Sequence, residues 1–210
     1  MKAITFIRKH LQSGNKRLDD GLLQDINAIK LPFTSRNYYA FCDKYLPENV
    51  NEDLFLDENE KYFREIATDY DTLKYLYYFQ RFYTDPVFCD IGCGIGNVVH
   101  YTGRMGYSSF GYDINTFLKP VHGRIKADVV YADILKDDLA RLATVDVLYI
   151  YRPINDKHMM NRLFRLIHQN TKRELVVFYN YPHSKSVKGY DTIELGQYDN
   201  MVLLLKQPIV

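Results

Sequence analysis

The sequence predicts an α/β protein: a doubly wound, mostly parallel seven-stranded sheet with a C-terminal antiparallel hairpin, preceded by a helical N-terminal extension. Three observations predict it. From about residue 86 onward, short β-branched runs alternate with stretches of helical periodicity, the pattern of strands joined by right-handed helical crossovers. The run VDVLYIY, Val145–Tyr151, is apolar nearly throughout, as a strand buried on both faces must be. Near the end of the chain, two apolar runs flank the turn-rich GQYDN, which reads as a hairpin.

The extension, residues 1–85, reads as helical and polar. Its best helix is Asp57–Tyr83, where Tyr62, Phe63, Ile66, Tyr70, Leu73, Leu76, Tyr77 and Phe79 recur at three- and four-residue steps. Asp57, Glu58 and Glu60 suit its N-terminus, and Asp85-Pro86 ends it. Its broad apolar stripe predicts packing on the second region, residues 86–210.

There the elements follow in order. Val87–Asp90 is a strand, Asn97–Met105 a helix, Ser108–Tyr112 a strand, and Thr116 to about Lys126 a helix. Val129–Tyr131 and Val145–Tyr151 are strands, Asp156–Asn170 is a helix, and Glu174–Tyr179 is a buried strand. Thr192–Leu195 and Met201–Leu205 form the hairpin. The connection Asn180–Tyr190 is short for a crossover helix, which predicts a missing or reduced helix there.

Composition narrows the function classes. The chain has 210 residues, 47% hydrophobic and 25% charged, the balance of a folded globular protein. A net charge of +1 does not indicate a dedicated nucleic-acid binder. No run approaches the roughly 18 apolar residues of a membrane span, and MKAITFIRKH lacks the apolar core of a signal peptide, so a cytoplasmic protein without membrane association is expected. Cys42, Cys89 and Cys93 lack a four-ligand zinc spacing; no metal is expected, and Cys93 reads as a small packing residue. Lys2, Arg8, Lys9, Lys16 and Arg17 read as a solvated basic face.

The chemistry concentrates in Val87–Asn97, VFCDIGCGIGN. A buried strand runs into three glycines at alternate positions and then into a helix. Glycine lets backbone turn sharply and approach a ligand, and the helix N-terminus offers unpaired N–H groups. A dinucleotide site needs G-x-G-x-x-G. Gly92 and Gly94 fit, but the third place is Asn97, and the glycine falls at Gly96. Asp90 would repel a pyrophosphate. S-adenosyl-L-methionine (SAM) carries no phosphate, and its sulfonium and ammonium favour a carboxylate, so charge and spacing both select SAM over NAD.

Asp90-Ile91-Gly92-Cys93-Gly94-Ile95-Gly96 resembles the first motif of the class I, Rossmann-like, SAM-dependent methyltransferases. The resemblance spans about residues 86–206. It implies that Asp90, Gly92, Cys93, Gly94, Gly96 and Asn97 form the cofactor loop, and that Asp113, with Ile114, ends the second strand and holds the ribose hydroxyls. It implies that Ala132-Asp133-Ile134 ends the third strand, where the acid accepts from the adenine amino group and the next backbone N–H reaches the ring. Tyr151-Arg152-Pro153-Ile154 ends the fourth strand, where the family places residues facing the methyl acceptor and where Tyr151 also reaches the cofactor. The sequence departs from the N/D-P-P-Y/W/F of base-amine methyltransferases there, so an exocyclic-amine nucleic-acid substrate is not supported.

The implied activity is transfer of the sulfonium methyl to an unidentified acceptor, a small molecule or protein in preference to nucleic acid. Tyr151, Arg152 and His183 are the candidate catalytic residues, with His158 as a further candidate base; His100 and His168 read as packing or surface residues. The extension is expected to form a lid or substrate wall. A non-catalytic SAM-binding module and an NAD-dependent oxidoreductase are the alternatives. The sequence does not specify the oligomeric state.

Overall fold

The computed structural model describes residues 3–12, 16–45, 68–151, 153–171, 174–184, 186–195 and 200–206. Four helices come first: α1 (Ala3–Lys9), α2 (Asp20–Asn27), α3 (Ser35–Tyr45) and α4 (Tyr70–Gln80). Then follow β1 (Val87–Ile91), α5 (Asn97–Met105), β2 (Ser108–Asp113), α6 (Lys119–Ile125), β3 (Val129–Tyr131), β4 (Val147–Tyr151), α7 (Lys157–Asn170), β5 (Leu175–Asn180), β6 (Tyr190–Glu194) and β7 (Met201–Lys206). The strands form one seven-stranded sheet in the order β3-β2-β1-β4-β5-β7-β6. β1 to β5 pair in parallel, and β7 runs antiparallel between β5 and β6.

Alternation along each strand feeds two cores. Phe88, Val147, Tyr149, Val176 and Phe178 face the helical extension and α5; Cys89, Ile91, Leu148, Ile150 and Val177 face α7. Both faces are covered, which is why the VLYIY run is apolar at every position. The extension belongs to the first core. Phe79 of α4 lies 5.6 Å from Phe178 between ring centroids, and the Tyr107 hydroxyl donates to the Leu76 carbonyl at 2.7 Å. Backbone from Lys16 to Leu18 also bonds to β6: Glu194 N donates to the Lys16 carbonyl at 2.7 Å, and Leu18 N to the Glu194 carbonyl at 3.2 Å. These bonds satisfy part of an edge strand that would otherwise be open to pairing with another chain.

Most sequence-derived boundaries fall within two residues of the structure. The long helix differs. α4 runs from Tyr70, capped by Asp69, and stops at Gln80, five residues before the Asp85-Pro86 step. Phe82 N and Tyr83 N bond to the carbonyls of Phe79 and Gln80, tightening the chain out of the helix before proline is reached. Residues 57–67 of that prediction lie outside the described residues. The helix expected from Thr116 is also split: a 3-10 turn (Thr116–Leu118) capped by Asn115 precedes α6, which begins beside Pro120, a residue suited to a first helical turn. Among the described residues between β5 and β6 there is no helix, as the short connection predicts. No helix among the described residues is long and apolar enough to cross a membrane. Arg8 pairs with Asp191 at 2.6 Å and Arg17 with Asp20 at 3.8 Å, so part of the basic face is paired.

Candidate functional site

Strand order reverses between β1 and β4: the chain leaves β1 toward β2 on one side and later returns to β4 on the other. In open α/β sheets the crevice beyond the carboxyl ends of such strands is where ligands bind. The glycine turn sits there. Gly92, Gly94 and Gly96 have φ of 74°, 53° and 77°, a region that side-chain-bearing residues rarely adopt. A Cβ on Gly92 would lie 2.5 Å from the Pro153 Cβ. Gly92 N and Cys93 N both donate to the Tyr112 carbonyl, at 2.8 and 3.0 Å, which ties the turn to β2. The helices α2, α4 and α7 carry aspartate caps, whereas α5 starts at Gly96 with no side-chain cap. The positive end of that helix faces the turn.

Asp113 closes the turn from β2. Its Oδ2 accepts from Gly94 N at 2.8 Å and its Oδ1 from Asn115 N at 2.7 Å. The residue is 8% exposed, and burial raises its pKa against the pull of those two bonds. A carboxylate has about four lone-pair sites, so capacity remains beyond the backbone N–H groups of Gly94, Ile114 and Asn115. Asp90, 2% exposed, is the penultimate residue of β1, in register with Gly111 and Tyr149. Asp133 follows β3. It accepts from Leu135 N at 3.0 Å and pairs with Lys136 at 2.9 Å; burial works against its charge, but these contacts hold its pKa below the ordinary value. Ala132 N is taken up by the Asp113 carbonyl at 3.1 Å, Ile134 is buried, and Ile114 is exposed. Cys93 is buried against β2, where only glycine at position 111 admits it: a Cβ there would meet the Cys93 Sγ at 2.6 Å. All three cysteines are buried and none forms a disulfide among the described residues.

Two parts of the site escaped the sequence reading. The first is His122 of α6. Its Nε2 lies 2.6 Å from the Gly94 carbonyl, which can only accept, so Nε2 carries the proton; Nδ1 then accepts from the Tyr131 hydroxyl at 2.5 Å. Burial lowers the His122 pKa, keeping the neutral ring, although the Gly94 carbonyl and Asp113 act the other way. No spacing in the sequence sets this histidine apart.

The second is a buried polar chain joining the extension to the sheet. Asn97 Nδ2 donates to the Tyr38 hydroxyl at 2.7 Å, and Tyr38 donates to the Thr68 carbonyl at 2.5 Å. Thr68 Oγ1 and the Tyr149 hydroxyl are 3.1 Å apart, and Asn180 Nδ2 donates to Tyr149 at 3.2 Å. Burial holds the Tyr38 and Tyr149 phenols well above their ordinary pKa, so both remain hydrogen-bonding hydroxyls. Asn97, which the resemblance assigns to the cofactor loop, is thus joined to α3.

At the end of β4 Tyr151 is half-buried, with its ring centroid 5.3 Å from that of Tyr181. Burial, and then Tyr181, push the Tyr151 phenol up to about 12. Arg152 lies outside the described residues. His183 has its Nε2 2.9 Å from the Ile154 carbonyl, which commits that nitrogen as a donor. His158 is exposed at the start of α7. His100 packs on Phe41, with ring centroids 4.8 Å apart, and its Nδ1 bonds the Ile125 carbonyl at 3.2 Å.

No protein-family model matches the sequence, and no curated protein matches it. Solved structures do. An RNA methyltransferase from Salinibacter ruber, in complex with S-adenosyl-L-homocysteine (SAH), aligns over 69% of this chain and 97% of its own at a TM-score of 0.52 and 15% identity. Magnesium protoporphyrin IX methyltransferase from Synechocystis, with bound SAM, aligns over 65% and 77% at 0.49 and 11%. A TehB-like SAM-dependent methyltransferase from Corynebacterium glutamicum aligns over 63% and 85% at 0.46 and 13%. The first of these carries the assignment. The fold is that of the class I SAM-dependent methyltransferases, with the mostly parallel seven-stranded sheet and terminal hairpin that the sequence predicts.

Proposed function

We propose that the protein is a SAM-dependent methyltransferase. The observation that carries the proposal is the glycine turn locked to Asp113 through Gly94 N, at the crevice between β1 and β4 and in front of an uncapped helix N-terminus. The residues present fit SAM. Asp113 keeps lone-pair capacity for the ribose hydroxyls, Asp133 stands past the next strand end for the adenine amino group, and Ile114 is exposed next to Asp113. The Asp90 carboxylate, with no basic residue in the turn from Gly92 to Asn97, matches a cationic ligand. The same features disfavour NAD, whose pyrophosphate would face Asp90.

Bound SAM supplies a methyl group on a good leaving group, so alignment is the protein's main task. Alignment of reactants can account for about 7–11 kcal/mol of a barrier. The turn, Asp113 and Asp133 hold the nucleoside; Asn97, through Tyr38, joins that half of the site to the extension, which we assign as the acceptor wall. A small molecule is the favoured acceptor, because the near-neutral chain offers little to a polyanion.

Thermal shift separates the readings. SAH raises the melting temperature and NAD does not. A shift with NAD alone would replace this proposal with an oxidoreductase. Stabilisation by SAH with no methyl transfer to any acceptor class would favour a SAM-binding module.

A further inference from the structure

The buried chain from Asn97 to Asn180 has a consequence at the surface. Each segment that it anchors carries an exposed or half-exposed side chain one or two positions further on. Tyr39 follows Tyr38, Asp69 follows Thr68, Tyr151 follows Tyr149, and Tyr181 follows Asn180. Tyr39 bonds to Asp69, Asp69 acts on Tyr151, and Tyr151 packs on Tyr181, so the four form one rim, with Tyr151 in register with Asn180 at the strand ends.

The rim has a definite chemistry. Tyr39 is 43% and Tyr181 42% exposed, two of the few large apolar side chains that the fold leaves at the surface. Tyr181 has φ of 50°, unusual for a side-chain-bearing residue, and its N–H is held by Asn180 Oδ1 at 3.2 Å and by the Asn200 carbonyl. Its ring packs tilted at 52° to Tyr151. The Tyr39 hydroxyl donates to Asp69 Oδ1 at 3.0 Å. Among the described residues, the charged groups acting on Tyr39 and Tyr151 are carboxylates: Asp69 acts on both, and Asp71, itself paired with Lys74 at 2.8 Å, acts on Tyr39.

We propose that Tyr39, Asp69, Tyr151 and Tyr181 form the acceptor subsite and that it takes a small planar nitrogen heterocycle whose neutral ring nitrogen is the nucleophile. This rests on the methyltransferase reading and names its substrate class. Phenol faces stack on planar rings and attract cations, and an exposed carboxylate among them favours positive charge and rejects phosphate. In the transfer, the ring nitrogen's lone pair forms the N–C bond while the C–S bond breaks. The bonding pair stays on sulfur, which becomes neutral, and the positive charge passes to nitrogen beside Asp69. A pyridine-type nitrogen carries no proton, so the step needs no base. That accords with His183, whose Nε2 is committed to the Ile154 carbonyl.

The probe is N-methylquinolinium, a mimic of the product cation, compared with 2-naphthoate, a planar anion of similar size, and with a single-stranded RNA oligonucleotide. Each is titrated calorimetrically into the full chain with and without SAH. The cation is expected to bind about tenfold or more tighter than the anion, as one favourable charged contact implies. Asp69→Asn retains a helix cap, and Tyr181→Gly suits the positive φ, so both variants keep the backbone. Each should weaken the cation about tenfold and leave SAH affinity unchanged. Equal or tighter naphthoate binding, preference for the RNA, or an unaltered cation preference in Asp69→Asn overturns the proposal. Failure of SAH to bind the unmodified chain instead strikes the methyltransferase reading, and the titrations without SAH report on the rim separately.

Discussion

His122 donates from Nε2 to the Gly94 carbonyl at 2.6 Å, while Gly94 N donates to Asp113 at 2.8 Å. One residue of the glycine turn is thus held on both of its peptide groups, from α6 and from β2. The Tyr131 hydroxyl at 2.5 Å from Nδ1 completes the arrangement by fixing the imidazole tautomer. The turn is a braced structure, and its brace is a side chain outside the glycine motif.

Removing the brace should loosen the turn. His122→Leu leaves the part-buried Gly94 carbonyl without its donor, a cost of about 1 kcal/mol that falls on loop geometry and stability together. SAH affinity should drop about tenfold. Tyr131→Phe keeps the His122 contact to Gly94 and should cost less. Calorimetric SAH titration and chemical denaturation of both variants check this; equal effects would contradict the assigned order of donors.

The same histidine gives a pH dependence. Burial lowers its pKa below the ordinary 6.5, so below that pH the folded protein binds fewer protons than the unfolded chain. The stability contributed by neutral His122 is therefore present above pH 6.5 and is lost as pH falls through the lowered value. His100 and His168, also lowered by burial, act in the same direction; Asp113, raised by burial, opposes them only toward its ordinary 3.8. Stability should decline on acidification below pH 6.5, and the His122 ring resonances should titrate below that value by NMR. Titration above 6.5 would contradict the buried neutral imidazole.

Gly111 is required by close approach and not by its own dihedral angles. A Cβ there would lie 2.6 Å from the Cys93 Sγ and 2.7 Å from its Cβ. Gly111→Ala should destabilise by about 1–3 kcal/mol through overpacking. Adding Cys93→Gly should recover part of the loss, since Val99 at 3.1 Å remains. Denaturant midpoints of the single and double variants measure that coupling.

Lys206 is fully buried on β7, with Nζ donating to the His168 carbonyl at 2.6 Å, to Thr171 Oγ1 at 2.6 Å and to the Thr171 carbonyl. It closes the carboxyl end of α7, where a cation is favoured. Lys206→Met preserves length but leaves those acceptors unpaired, and should lower the unfolding free energy by about 1–3 kcal/mol without changing SAH affinity.

The sheet was legible because β1, β3, β4, β5 and β7 are largely apolar runs bounded by turn residues, and β2 and β6, though more polar, fall between turn signals in the same alternation; the glycine turn was legible because glycines at 92, 94 and 96 leave a local pattern. Gln80 as a helix end was not, because a single proline at position 86 is a stronger textual signal than the turn bonds that stop the helix earlier. Neither was the network joining Tyr38, Thr68 and Tyr149. Thr68 and Tyr149 are 81 residues apart, and threonine and tyrosine carry no mark of such pairing in sequence. His122 was silent for the same reason: its partners lie in two other elements.

The central claim is that this turn receives the ribose of a SAM-type nucleoside on Asp113. Calorimetric titration of SAH into the unmodified chain and into Asp113→Ala tests it most directly. The account predicts saturable binding to the former and affinity reduced about tenfold or more in the variant, the loss of a doubly bonded carboxylate. Equal affinity for the two chains, or no binding to the unmodified one, would contradict it.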